Sequence, residues 1–252
     1  MLNTIPHGAP TDAPPLLIAH GLYGSARNWG VIAKRLSDQR KVIAVDLRNH
    51  GQSAWSETHG YDEMADDLAE VIEAAGGRAD MLGHSMGGKA AMMLALRHPD
   101  LVRRLIVADI APAPYTHSQL PFIEAMRAVD LDHVQRRADA EEQLAALGVE
   151  PALQSFFTQS LDLTGKRWRL NLDGLAREMP KIMDFPQMGA SWEGPALFLA
   201  GAASDYVRPE HRPAIRALFP KARFARIPGA GHWLHAEKPR EFESSVRTFL
   251  NA

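Results

Sequence analysis

Gly83-His84-Ser85-Met86-Gly87, followed by Gly88, matches the pattern G-x-S-x-G. The pentapeptide alone is weak evidence, but its flanks strengthen it. Ala79–Gly83 reads as a strand, and Met86–Arg97 as a helix that is apolar almost all round. A sharp strand-to-helix turn strains the central residue, requires glycine beside it, and lifts the serine hydroxyl above the sheet edge. The helix N-terminus beneath favours negative charge at that point. Ser85 is therefore a candidate nucleophile; the plain alternative is a tight turn with an incidental serine.

A serine hydroxyl attacks only when a base takes its proton, and the oxyanion that forms needs donors already in place. In this architecture the chain order is serine, acid, histidine. Of the 11 histidines, His232 in Gly229-Ala230-Gly231-His232-Trp233 follows the last predicted strand, so it is the candidate base. His235 makes an H-x-x-H pair with it, but no third ligand or intervening glutamate accompanies them, and no metal is expected. His20 and His84 read as loop-packing residues. His20-Gly21-Leu22 follows the first long strand, where the backbone N–H of Leu22 is one expected oxyanion donor. The N–H of Met86 is the other, and both side chains are expected to line the pocket.

Elements able to position these groups are legible along the chain. Short apolar runs (Leu16–His20, Val42–Asp46, Ala79–Gly83, Val102–Ala108, Ala196–Ala200, Arg223–Ile227) alternate with helical patterns. The helices fall at Asn28–Leu36, Tyr61–Ala75, Met86–Arg97, Arg212–Phe219 and Pro239–Leu250. In Tyr61–Ala75, Met64, Leu68, Val71 and Ile72 point inward while the acidic residues face out. After Asp109 the rhythm breaks at Pro112, Pro114 and Pro121, and Phe122–Asp184 reads as helices without a strand. The expected fold class is α/β, a mostly parallel twisted sheet flanked by helices. Residues 1–112 and 191–252 would form its core, and 113–190 a helical cap inserted in it.

The 252-residue chain needs no staple to build a core, and it has no cysteine. That excludes disulfides, Cys-ligated metals and thiol nucleophiles. Its 28 basic and 30 acidic side chains give no field for gripping nucleic acid. Residues 1–15 lack Lys, Arg and an apolar core, so no secretory signal is read there, and no run has the ~18 apolar residues of a membrane helix. A cytoplasmic protein, monomeric or a small homo-oligomer, is expected.

The sequence resembles the α/β-hydrolases, and within them the YbfF-type bacterial serine esterases. The resemblance rests on His20 to Ser25, Asp46-Leu47-Arg48-Asn49-His50-Gly51-Gln52-Ser53, Gly83 to Gly88, Asp109-Ile110-Ala111-Pro112 and Gly229 to Trp233. It implies hydrolysis of carboxylic esters, with short acyl chains favoured and acyl-thioesters possible, through an acyl-enzyme on Ser85. Many members carry the acid after the strand that follows the cap, three residues beyond a glycine. Here that count from Gly201 reaches Ser204, with Asp205 one further on. YbfF-type enzymes carry it at the end of the strand after the nucleophile helix, which is Asp109. Asp109 is preferred and Asp205 is the alternative, with Ser204 expected to hydrogen-bond in the same network.

In the segment Asp46 to Ser53, Arg48 is expected to pair with Asp46 and brace the nucleophile's surroundings. Phe156, Phe157, Leu161, Trp168, Leu170, Leu172, Met179, Ile182, Met183 and Phe185 offer apolar surface, most of it for packing cap to core and some for the pocket. No cofactor is implied, since neither G-x-G-x-x-G nor a P-loop follows any strand. Three other readings share the same residues: cofactor-free perhydrolysis, hydrolysis of carbon–carbon bonds, and a ligand-binding member without turnover.

Overall fold

The computed structural model describes all 252 residues. Its strands are β1 (Thr4–His7), β2 (Leu16–Ala19), β3 (Val42–Val45), β4 (Ala79–His84), β5 (Val102–Ala108), β6 (Leu161–Asp162), β7 (Arg167–Trp168), β8 (Ala196–Gly201) and β9 (Ala222–Ile227). The helices are α1 (Gly30–Leu36), α2 (Tyr61–Ala74), α3 (Met86–Arg97), α4 (Leu120–Ala128), α5 (Arg137–Ala146), α6 (Pro151–Thr158), α7 (Leu172–Met183), α8 (Arg212–Leu218), α9 (Leu234–Glu237) and α10 (Pro239–Leu250). Seven strands form one sheet in the order β1-β3-β2-β4-β5-β8-β9. All neighbours are parallel except β1 and β3.

Both faces of a parallel sheet are covered, so its strands are apolar on both sides. The alternation sorts them. Leu17, Ile43, Val45, Met81, Leu105 and Val107 join the core shared with α2, α3 and the inserted helices. Leu16, Ile18, Ala44, Leu82, Ile106 and Ala108 join the second core, closed by Ile32 and Leu36 of α1 and by Phe242, Val246 and Phe249 of α10. Met64, Leu68, Val71 and Ile72 of α2 are buried, as its periodicity predicts.

Three features depart from the sequence reading. β1 is an additional edge strand, pairing Thr4 with Val45 and His7 with Val42; Pro6 is tolerated because an edge strand leaves N–H groups unpaired. The expected helix from Asn28 is a 3₁₀ turn over Ala26–Trp29 that passes into α1 at Gly30. The segment between β5 and β8 carries α4 to α7, and also the two-residue hairpin β6–β7. No helix is long and apolar enough to cross a membrane.

Five histidines are held neutral inside this fold. Burial pushes His59 and His235 down to about 3 and lowers His20, His50 and His84. An unfolded chain takes up these protons near pH 6.5, whereas the folded chain does not. Their contribution to stability is therefore complete above pH 6.5 and is lost as pH falls, for His59 and His235 down to about 3. For His59 and His235 the loss is about 1.4 kcal/mol per pH unit in that window. We expect the melting temperature to fall steadily between pH 6.5 and 5, with a shallower slope in His235→Phe. His235 suits this test because its buried Nδ1 has no partner and its ring stacks on Trp29 at 4.2 Å. Equal slopes in the two proteins would contradict the assignment.

Candidate active site

The C-terminal ends of β2, β4, β5 and β8 and the loop after β9 meet at one edge of the sheet, where ligands bind in open α/β folds. Ser85 stands between β4 and α3 with φ 53° and ψ −120°. That positive φ is costly for a side-chain-bearing residue, and its surroundings enforce it. The Ser85 N–H donates to the Ala108 carbonyl (3.0 Å), and its own carbonyl accepts the Lys89 N–H (3.0 Å). A Cβ at Gly83 would press into the Gly87 backbone, and one at Gly87 would lie 2.6 Å from the Ala19 carbonyl oxygen. The glycines let α3 start directly against the sheet.

Asp109 follows β5, fully buried, and also has a positive φ (54°). Its Oδ1 accepts the Gly201 N–H at 2.9 Å; its Oδ2 accepts the Ser204 hydroxyl and, at 2.8 Å, His232 Nδ1. The other ring nitrogen, Nε2, lies 3.1 Å from Ser85 Oγ and is placed to accept its proton. A buried carboxylate is costly unless satisfied, and here three donors converge on it. Asp205 is exposed and takes no part. Ser204 occupies the network position, as expected from the sequence.

His232 is fixed from two further sides. His84 Nε2 donates to the His232 carbonyl (2.9 Å), and Tyr206 stacks on the imidazole with centroids 3.9 Å apart. Tyr206 went unnoticed in the sequence. Its signal was its place two residues after Ser204, whose Oγ accepts the Tyr206 N–H at 3.3 Å.

The N–H groups of Leu22 and Met86 donate to no protein acceptor, and both side chains line the cavity above Ser85. Neighbouring histidines fix the Leu22 loop. His20 Nε2 accepts the Leu47 N–H (3.0 Å), and His50 Nε2 accepts the Tyr23 N–H (3.1 Å). Arg48 does not pair with Asp46, contrary to expectation. Its guanidinium clamps Asp67 on α2 at 2.6 and 2.9 Å, while Asp46 accepts the backbone N–H groups of Ala26 (2.7 Å) and Gln52 (2.9 Å). Backbone donors meet Asp46 more closely than a side chain pointing toward α2 can.

The cavity has a volume of about 300 Å³. From the inserted segment Phe122, Leu153, Phe156, Phe157, Ile182 and Met183 line it. Leu161, Trp168, Leu170, Met179 and Phe185 are instead packed into the core. Lys89 reaches the same wall; a charged residue in an otherwise apolar helix gave no sign of that. No group of three or more histidines or carboxylates is placed to share a metal ion.

A family model described as alpha/beta hydrolase matches residues 16–244. The mouse protein "sn-1-specific diacylglycerol lipase ABHD11" is 43% identical, the match covering 94% of this chain and 81% of that one. Esterase YbfF of Escherichia coli is 37% identical, with 94% and 93% covered. A solved structure named "Marine microorganism esterase" superposes with a TM-score of 0.92 at 37% identity over 98% of both chains. The chain belongs to the alpha/beta hydrolase family, among its serine esterases similar to the bacterial YbfF type.

Proposed function

We propose that the protein hydrolyses small-molecule carboxylic esters through an acyl-enzyme on Ser85, with His232 as general base and Asp109 as its acid. The observation that carries this reading is the unbroken line from Asp109 Oδ2 through His232 to Ser85 Oγ, with links of 2.8 and 3.1 Å. As Ser85 Oγ attacks the ester carbonyl, its proton passes to His232 Nε2. Asp109 holds Nδ1–H and stabilises the imidazolium. The Leu22 and Met86 N–H groups receive the oxyanion, where loss of one such donor typically costs 10²–10³-fold in rate. His232 then protonates the departing alkoxide and activates the water that releases the acid.

Residues 113–190 serve in this proposal as a cap over a core of 1–112 and 191–252, excluding water from the reacting carbonyl. The cavity is at the small end of ligand sites, which supports short acyl chains and extends to acyl-thioesters. The proposal also places the protein in the cytoplasm, supported by its cysteine-free composition. The mouse relative's name brings short diacylglycerols into the test set. With p-nitrophenyl esters from acetyl to decanoyl, kcat/KM should peak at hexanoyl or shorter and exceed perhydrolysis and diketone cleavage measured beside it. A maximum at decanoyl would contradict the short-chain reading, and faster diketone cleavage would replace the reaction itself.

A further inference from the structure

Lys89 is a buried cation in the cavity wall for which ester hydrolysis has no use. It lies one turn into α3 from Ser85 and is 1% exposed. Its Nζ donates to the carbonyls of Met183 (3.1 Å) and Asp184 (2.7 Å), where α7 ends, and sits 4.8 Å from the Tyr115 ring centroid. An ammonium has three N–H donors, and these two bonds leave one.

No carboxylate hydrogen-bonds its third N–H, although the Asp184 carboxylate is near enough to favour the charged form. The Asp184 carboxylate turns back to its own chain, where Oδ1 accepts the Phe185 N–H at 2.8 Å. The phenols around the lysine are already committed as donors, Tyr61 to the Ile182 carbonyl (2.6 Å) and Tyr115 to the Tyr206 carbonyl (2.7 Å). Burial raises both phenols, so they stay neutral. The same cavity wall carries Ile110, Ile182 and Met183, together with His117, whose imidazole feels the lysine's charge. Burial outweighs the attraction of the nearby Asp184 carboxylate, and the lysine is pushed down to about 7. A carbonyl pair alone offsets part of the cost of burial; an anion entering the cavity offsets far more.

We propose that Lys89 is a specificity residue for esters that carry a free carboxylate at the end of the chain remote from the ester, that is, half-esters of dicarboxylic acids. The inference rests on Ser85 being the esterase nucleophile. The carboxylate takes the third N–H of Lys89 while the chain lies along the apolar wall and the ester reaches Ser85. A role confined to holding α7 against α3 requires only the two carbonyl bonds and gives no preference between charged and neutral esters.

The test compares monomethyl adipate with the methyl ester bearing a terminal carboxamide in place of the carboxylate, followed by pH-stat. The wild-type protein should favour the acid by tenfold or more in kcat/KM, a result needing no variant. In Lys89→Met and Lys89→Gln that ratio should fall at least tenfold, and Lys89→Arg should retain part of it. A tether role would lower both esters together and leave the ratio fixed. Equal turnover of the two esters by the wild-type protein, or an unchanged ratio in both neutral variants, overturns the proposal while the esterase reading stands. A wild-type protein that hydrolyses neither of these esters nor p-nitrophenyl butanoate loses both.

Discussion

Replacing Ser85 by alanine should abolish ester hydrolysis, with a fall in kcat of about 10⁶-fold, the size seen when a triad serine is lost from a hydrolase. The hydroxyl's one hydrogen bond within the protein is with His232 Nε2. The backbone bonds that hold the turn, to Ala108 and Lys89, do not involve it. The variant should therefore melt near the wild-type temperature while turning over no substrate. What survives is the free Leu22 and Met86 N–H pair and the cavity, so substrate binding should persist. If Ser85→Ala keeps more than a few per cent of wild-type kcat, the chemistry runs through another group.

Asp109→Asn should cost roughly 10⁴-fold in kcat, equivalent to about 5 kcal/mol of transition-state stabilisation. The carboxylate accepts from Gly201 N–H on one oxygen, and from Ser204 Oγ and His232 Nδ1 on the other. Asparagine has one acceptor oxygen and an amide that only donates. If the amide faces His232, two donors meet, and the imidazole must present the wrong tautomer to Ser85. If it faces Gly201, the conflict moves to a buried backbone N–H, which costs stability as well. Asp205→Asn, altering an exposed side chain outside the network, should leave kcat and the melting temperature unchanged. The reverse pattern in the two variants would move the acid to Asp205.

Those two carboxylates also show where sequence legibility stopped. Ser85 and His232 could be singled out because each lies in a short glycine-containing segment directly after a predicted strand. The acid was not, because Asp109 and Asp205 both follow strands that end at the same sheet edge. What separates them is three-dimensional: the pairing of Ala108 with Leu199 and the left-handed backbone of Asp109 aim its carboxylate at His232. Buried strands and amphipathic helices such as α2 carry strong periodicity and were legible. The edge strand β1 has four residues with a proline among them and the hairpin strands have two each, too few to show a period. Arg48 and Lys89 were misjudged or passed over for one reason. Their partners, Asp67 on α2 and the carbonyls at the end of α7, are set by tertiary packing and leave no mark in the local sequence.

The central claim is that Ser85 is a nucleophile activated by His232 and Asp109. Incubation with a fluorophosphonate, followed by peptide mass spectrometry, tests it most directly. A single adduct on Ser85 is predicted, absent in Ser85→Ala and formed far more slowly in Asp109→Asn. An unlabelled wild-type protein, or an adduct on any other residue that persists in Ser85→Ala, would contradict it.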